Sequence, residues 1–404
     1  MKEIQGGVCA AGGFQAAGIH CGIRKNRAKA DLALIVSECE CVAAACYTRN
    51  RVKAAPVYVS QENLKDGKAR AIICNSGNAN ACAPNGKENA QRMCRAVGDA
   101  LGFAAEDVVC TSTGVIGEEL PVSVIEDAMP RLCADLSADG GDRAANAILT
   151  TDTIKKECAY QTVIGGKEVK IGGIAKGSGM IHPNMGTMLA FITTDANIAA
   201  DALQTALSSA VEKSFNRVSV DGDTSTNDMA VVLANKTAGN AEIRLGTDEY
   251  VAFSELLFAV CSYLARMIAK DGEGATRMIT CTVSGAKTEE DAVCLAKSVI
   301  SSSLVKAAMF GTDANWGRVL CAMGYSGVEF DPQTVTVSFR SAVGEITVCE
   351  QGAGLVFDED MAKKILSEDE IEICATLCAG SASASAWGCD LTYDYVKING
   401  DYRT

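Results

Sequence analysis

Lys176-Gly-Ser-Gly-Met-Ile-His-Pro-Asn-Met-Gly-Thr-Met-Leu-Ala-Phe-Ile-Thr-Thr-Asp195 is the stretch from which the rest of the chain is read. A glycine-rich run ends in one hydroxyl residue, Thr187, which opens an apolar, strand-like segment from Met188 to Ile192. The carbonyl before that hydroxyl belongs to Gly186, so no side chain shields it. Two readings fit. Gly186-Thr187 is a turn feeding a buried strand, as Gly-Thr pairs commonly are, or Thr187 attacks its own preceding peptide bond and becomes an N-terminal nucleophile.

Upstream, Tyr160 to Ile164 and Glu168 to Ile171 flank Gly165-Gly166-Lys167, a hairpin signal that delivers the chain into Lys176. Three polar clusters precede it. Strand-like Ala71-Ile-Ile-Cys74 runs into Asn75-Ser-Gly-Asn-Ala-Asn80, and Val108-Val-Cys110 runs into Thr111-Ser-Thr-Gly-Val-Ile-Gly117. Both are expected to be loops: the first either presents backbone N–H groups inward or is a plain turn, and the second displays N–H donors, with phosphate cradling and oxyanion stabilisation as alternative uses. Thr111–Gly117 lacks the Gly-x-x-x-x-Gly-Lys spacing of a P-loop. The third cluster, Thr150-Thr-Asp-Thr153, follows a short helix expected near Asp142 to Leu149. Pro121 is placed to open a helix, with Pro130 ending or kinking it.

Downstream, Leu203, Leu207, Val211 and Phe215 define an amphipathic helix from Ala200. Asp221-Gly-Asp-Thr-Ser-Thr-Asn-Asp228 lacks the glycine and glutamate of an EF-hand. A long apolar helix is expected over Val251 to Ala269, one continuous helix over Asp291 to Met309, and a polar loop over Gly311-Thr-Asp-Ala-Asn-Trp-Gly-Arg318. The aromatic tail from Trp387 to Thr404 is expected to be docked rather than frayed.

The 404 residues, 48% hydrophobic and 22% charged, describe a globular protein of two or three lobes. A net charge of −13 argues against nucleic acid or an anionic membrane as partner. The N-terminal residues show no apolar export segment, and no run of 18 apolar residues occurs. The 19 cysteines are odd in number and scattered through apolar runs, which suits reduced, buried thiols and a cytoplasmic location. With only His20 and His182, neither a zinc site nor any other metal is expected, and a Ser-His-Asp triad lacks its Gly-x-Ser-x-Gly elbow. Covalent chemistry then favours a nucleophile served by its own α-amine, which titrates at about 7.7–8.0 and needs no histidine.

The opening stretch resembles the autoprocessing site of the ornithine acetyltransferase family, the glutamate N-acetyltransferases of arginine biosynthesis. The resemblance spans the chain, through Asn75–Asn80, Thr111–Gly117, Thr150–Thr153, Asp221–Asp228, Asp271-Gly-Glu-Gly-Ala-Thr-Arg277, Asn315–Arg318 and the Tyr402-Arg-Thr404 ending. It implies an α/β (α+β) fold of layered sheets and helices of the ornithine acetyltransferase, N-terminal-nucleophile-like type. It further implies cleavage at Gly186-Thr187 into an α chain (1–186) and a β chain (187–404), assembled as two α and two β chains. Many members carry Ala where this chain has Gly186.

The reaction implied is ping-pong. Thr187 takes the acetyl group of N2-acetylornithine and passes it to glutamate; some members also use acetyl-CoA. No pyrophosphate fingerprint points to coenzyme A here, and no cofactor is expected. Thr113 and Gly114 match the oxyanion-hole pair. Thr153, Lys176, Thr187, Glu273, Asn399 and Thr404 match the substrate-binding positions. Chemically, Lys176 suits a substrate carboxylate and Glu273 the ornithine side-chain ammonium; without the resemblance they read as a solvated lysine and a helix-end carboxylate. The rivals are an N-terminal-nucleophile amidohydrolase or aminopeptidase, which passes the acyl group to water, and a non-catalytic amino-acid-binding protein with an intact chain.

Overall fold

The structure is a computed structural model that describes residues 1–182 and 188–400. The chain forms two units. The first comprises Met1–Gly177, Pro183–Asn216 and Asp223–Leu264, and the second Ser178–His182, Arg217–Gly222 and Ala265–Thr404. The described residues on either side of 186/187 contribute to both, so this division is not that of the expected α and β chains.

The first unit holds strands β1 (Lys2–Ile4), β2 (Phe14–Ile19), β3 (Leu32–Tyr47), β4 (Lys68–Asn78), β5 (Val108–Val115), β6 (Lys156–Ile164), β7 (Lys167–Lys176) and β8 (Leu189–Thr194). After β9 (Val218–Ser219), which belongs to the second unit, β10 (Met229–Ala234) completes its sheet. Its order is β1-β6-β7-β8-β10-β3-β4-β5, with β2 also on β3.

The 16-residue β3 is the pivot. Its first half pairs with β2 and β4 and its second half with β10, and its register with β4 shifts between Val36 and Cys41. The shift lets the sheet fold over itself. Ile35, Ile72, Cys74 and Val109 on one side meet Ile174, Leu189, Phe191, Met229, Val231 and Leu233 on the other, in one buried cluster. Alternation along β4 and β5 turns Ala71, Ile73, Val108 and Cys110 outward, onto Met93, Val97, Ile125 and Leu132. Those apolar residues lie on α2 (Gly86–Leu101) and α3 (Val122–Ala134); α1 (Ala55–Asn63) precedes them. After α4 (Gly141–Ala147), α5 (Ala200–Glu212) packs on the second half of β3. The helix α6 (Asp248–Lys270) packs Val260 and Leu264, beyond its midpoint, against Gly173 of β7, where a Cβ would come within 3.0–3.1 Å of them. The apolar α6 is thus a core helix, with Phe253, Leu256 and Leu257 buried. The layers are helix, sheet, sheet, helix, as expected for the α/β class.

In the second unit β11 (Met278–Ala286), β12 (Thr336–Ser341), β13 (Gly344–Glu350), β14 (Ala353–Gly354), β15 (Glu370–Thr376) and β16 (Ala382–Cys389) join β9 in the order β14-β13-β12-β15-β11-β16-β9. Ile279, Cys281 and Val283 face the helices α7 (Glu289–Ser301), α8 (Ser303–Phe310), α9 (Trp316–Gly324) and α10 (Glu359–Leu366), whereas Thr282 bonds Glu372 and Ser385 on the other face. α11 (Tyr393–Gly400) ends the described chain, and none of its residues is buried. It is held by the Tyr393 ring edge-on to Phe310 and the Tyr395 hydroxyl donating to Asp221, so the tail is attached through a few contacts rather than packed in, with residues 401–404 outside the described residues.

Several local expectations change. Asn75–Asn78 and Thr111–Val115 are not loops but the last residues of β4 and β5, because parallel pairing carries the ladder through Gly77 and Gly114. Pro130 lies inside α3, which continues to Ala134. The helix expected over 291–309 breaks at Ser302, whose side chain accepts from the Val305 amide and caps α8, with the two helices bent by 59°. The Asn315 side chain caps α9 in the same manner, so the last three residues of the expected polar loop, Trp316 to Arg318, are helical.

Candidate active site

Strand ends bring the polar residues of the first unit together. Lys176, the last residue of β7, pairs with Leu189 of β8, which pairs in turn with Met229 of β10. One step further along these strands lie Gly177, Met188 and Asp228. Lys176 is no solvated lysine. It is 9% exposed, and its Nζ donates to Thr113 Oγ1 at 3.0 Å. Thr113 itself is 7% exposed.

Gly114 follows with φ +135°, and a Cβ there would lie 2.3 Å from the carbonyl carbon of Gly77 on the neighbouring strand. Only glycine fits. The end of β5 is fixed further by Ser112, whose hydroxyl donates to Asn75 Oδ1 at 2.5 Å, and by Asn227, whose Nδ2 donates to the carbonyls of Ala79 and Ser112. The structure therefore brings Thr113, Gly114 and Lys176 into one cluster.

Two carboxyl groups flank Lys176. Asp152, from the Thr150–Thr153 cluster, accepts from Lys156 Nζ and from the Gly177 amide, each at 2.7 Å, and from the Thr150 amide at 3.0 Å. Burial alone would raise its carboxyl, but the Lys156 and Lys176 ammonium groups outweigh that and hold it at about 2. Asp228 is the opposite case. It is 2% exposed, and burial pushes its carboxyl well above the ordinary range, only partly offset by Lys176, Ser225, the Met188 amide and Thr48. Its Oδ2 has no hydrogen-bond partner among the described residues. Neither aspartate was singled out from the sequence, although each sits in a hydroxyl-rich cluster that was.

Nearby Cys74 is no rival nucleophile, since burial pushes its thiol up to about 12. His20 Nδ1 lies 3.0 Å from the Lys29 carbonyl, and His182 Nδ1 lies 3.0 Å from Ser219 Oγ in the second unit. Thr153 is exposed, next in the chain to Asp152.

The second unit brings together Glu273 and Asn399. Asn399 Nδ2 donates to Glu273 Oε2 at 2.7 Å, and the Glu273 amide donates to the Ser178 carbonyl at 3.0 Å. Glu273 is 6% exposed, and a Cβ on Gly179 would overlap its carboxylate at 2.2–2.3 Å. It is a buried carboxylate rather than a solvated helix end. Asp221 fixes the adjoining segment by accepting from the Met180 and Ile181 amides at 2.6 and 2.8 Å. Gly186, Thr187 and Thr404 lie outside the described residues. Among the described residues no group of His, Cys, Asp and Glu side chains is arranged to hold a metal ion.

The Thr113 hydroxyl, backed by the buried Lys176 ammonium and next to an obligatory glycine at a strand end, sits in an α/β frame. The chain belongs to the ArgJ family, whose model matches residues 15–404. It is 51% identical over 406 residues to the arginine biosynthesis bifunctional protein ArgJ of Symbiobacterium thermophilum, covering 100% of both chains. It is 49% identical over 405 residues to the protein of the same name from Caldanaerobacter subterraneus, again covering 100% of both. Among solved structures, the Bacillus halodurans protein of that name is 45% identical with a TM-score of 0.51, over 53% of this chain and 99% of the other.

Proposed function

We propose that this protein is a glutamate N-acetyltransferase of arginine biosynthesis, moving acetyl from N2-acetylornithine to glutamate through an acetyl-Thr187 intermediate. Full-length identity of about half to proteins named for arginine biosynthesis supports the pathway. The observation that carries the chemistry is the Lys176–Thr113 contact beside Gly114. Because Lys176 is the donor, the Thr113 hydroxyl hydrogen remains able to donate to a developing oxyanion.

In this reading the chain cleaves itself between Gly186 and Thr187, freeing the α-amine that serves as base. The Bacillus halodurans chain supports the cut: it is matched over 99% of its length yet spans 53% of this one, the share that a separate chain of residues 187–404 would have. Thr187 Oγ attacks the acetyl carbonyl and its proton passes to that amine. Collapse of the tetrahedral intermediate breaks the C–N bond, and the same proton leaves with ornithine. Glutamate then repeats the sequence in reverse.

Glu273 is assigned to the ornithine ammonium, with Asn399 holding its carboxylate in place. Thr153 and Thr404 are assigned to substrate binding. Acetyl-CoA is assigned as a second acetyl donor, consistent with the relatives' description as bifunctional. Two α and two β chains form the working particle, in the cytoplasm, where the thiols stay reduced. The test is acetyl transfer from N-acetylornithine and from acetyl-CoA in turn. N-acetylglutamate as the main product is expected; acetate release unaffected by glutamate makes the protein an amidohydrolase instead.

A further inference from the structure

The buried site raises a question about Lys176 that substrate binding does not answer. A lysine that serves only as an anchor for a substrate carboxylate needs no partner in the protein. Here the ammonium is 9% exposed and already donates to Thr113 Oγ1 at 3.0 Å. Its charge is matched from the protein side by Asp152, which is shared with Lys156 and tied to the Gly177 amide next to Lys176. Asp152 thus fixes the end of β7, and with it the direction of the Lys176 side chain.

We infer that Lys176 is a positioning residue of the oxyanion hole, acting through Thr113 by orienting its hydroxyl and making it a stronger donor. This inference rests on the acetyl-threonine reading above. A hydroxyl that accepts from a buried cation has its hydrogen turned away from that cation. It is also polarised, because hydrogen bonds in a chain reinforce one another where the local dielectric is low. When Thr187 Oγ adds to the acetyl carbonyl, the carbonyl π pair moves onto oxygen. Thr113 O–H then donates to that oxygen while Lys176 N–H donates to Thr113. No proton changes owner in this relay, so Lys176 remains an ammonium throughout and the charge it offsets is the transient one. Self-cleavage passes through the same kind of tetrahedral intermediate and contains no substrate carboxylate.

The two roles of Lys176 separate with an acetyl donor that has no carboxylate. p-Nitrophenyl acetate is that probe, and the readout is nitrophenolate release in the first turnover, alongside the half-time of precursor cleavage. In Lys176→Met, acetylation by this ester is expected to fall about 100-fold, the order seen when an oxyanion donor is lost. Precursor cleavage is expected to slow with it, and Lys176→Arg to recover part of both. Thr113→Val should match Lys176→Met, Thr113→Ser should keep most of the rate, and the Lys176→Met/Thr113→Val double variant should be no worse than Thr113→Val.

An unchanged ester rate in Lys176→Met, with only the KM for N-acetylornithine raised, overturns the inference and leaves Lys176 a carboxylate anchor. If Lys176→Met does not fold, Thr113→Val decides alone, since an ester rate equal to wild type sinks the relay. A wild-type chain that stays uncut and takes up no acetyl group removes the underlying reading instead, whatever the variants do.

Discussion

Asp228 and Asp152 show how burial and neighbouring charge divide two carboxyl groups around one lysine. Asp152 has two ammonium groups within reach and stays ionised, whereas Asp228 is buried with one oxygen unpartnered among the described residues and is pushed towards the neutral acid. For a carboxyl raised in the folded state, folding carries no penalty below the unfolded value of about 3.9. As pH rises from there towards the folded value, the unfolded chain ionises and the folded one resists, so stability is lost. Asp228→Asn removes that loss. Its melting temperature is expected to match wild type near pH 4 and to exceed it increasingly towards pH 7, measured by thermal melts across that range. A deficit that is constant across pH would mean that Asp228 is ionised and paired. Neither aspartate could be given this role from the sequence, because Lys176 and Met188 are brought to them by strand register; only Lys156, four residues from Asp152, is a partner close in the chain.

At the scale of elements, the strands were more legible than their ends. Alternating apolar runs located β4, β5, β8 and β10, but Asn75–Asn78 and Thr111–Val115 looked like loops because hydroxyls, amides and glycines usually terminate strands. What keeps them in the sheet is their parallel pairing, Ser76 with Thr113 and Gly77 with Gly114. Such long-range pairing leaves no local signature. Gly114→Ala tests this directly. Its Cβ would meet the Gly77 carbonyl carbon at 2.3 Å, so β4 and β5 must part, at a cost of about 1–3 kcal/mol. Acetyl transfer is expected to fall at least about 100-fold through loss of the aligned donor. A variant that folds and transfers acetyl at the wild-type rate would remove Gly114 from the site. The break at Ser302 and the cap at Asn315 were missed for a related reason: neither a serine inside an expected helix nor an asparagine inside an expected polar loop marks a helix start until its side chain is seen accepting from an amide three residues on.

Across the whole molecule, one long bulged strand turns a nine-stranded sheet over itself and brings strand ends into a shared polar cluster. A second, seven-stranded unit holds the buried Glu273 and its Asn399 partner. The scarcity of histidine, legible from the sequence, favours for covalent chemistry a nucleophile served by its own amine, and the family resemblance is what points to Thr187. The cut that frees this amine is the central claim, and intact-mass analysis of the purified protein, before and after incubation with N-acetylornithine, tests it most directly. Two chains are predicted, residues 1–186 and 187–404, with only the second gaining one acetyl group, and with Thr187→Ala remaining a single uncut, unacetylated chain while Thr187→Ser still cleaves. One full-length species in the wild type, or an acetyl group on the 1–186 chain, would contradict it.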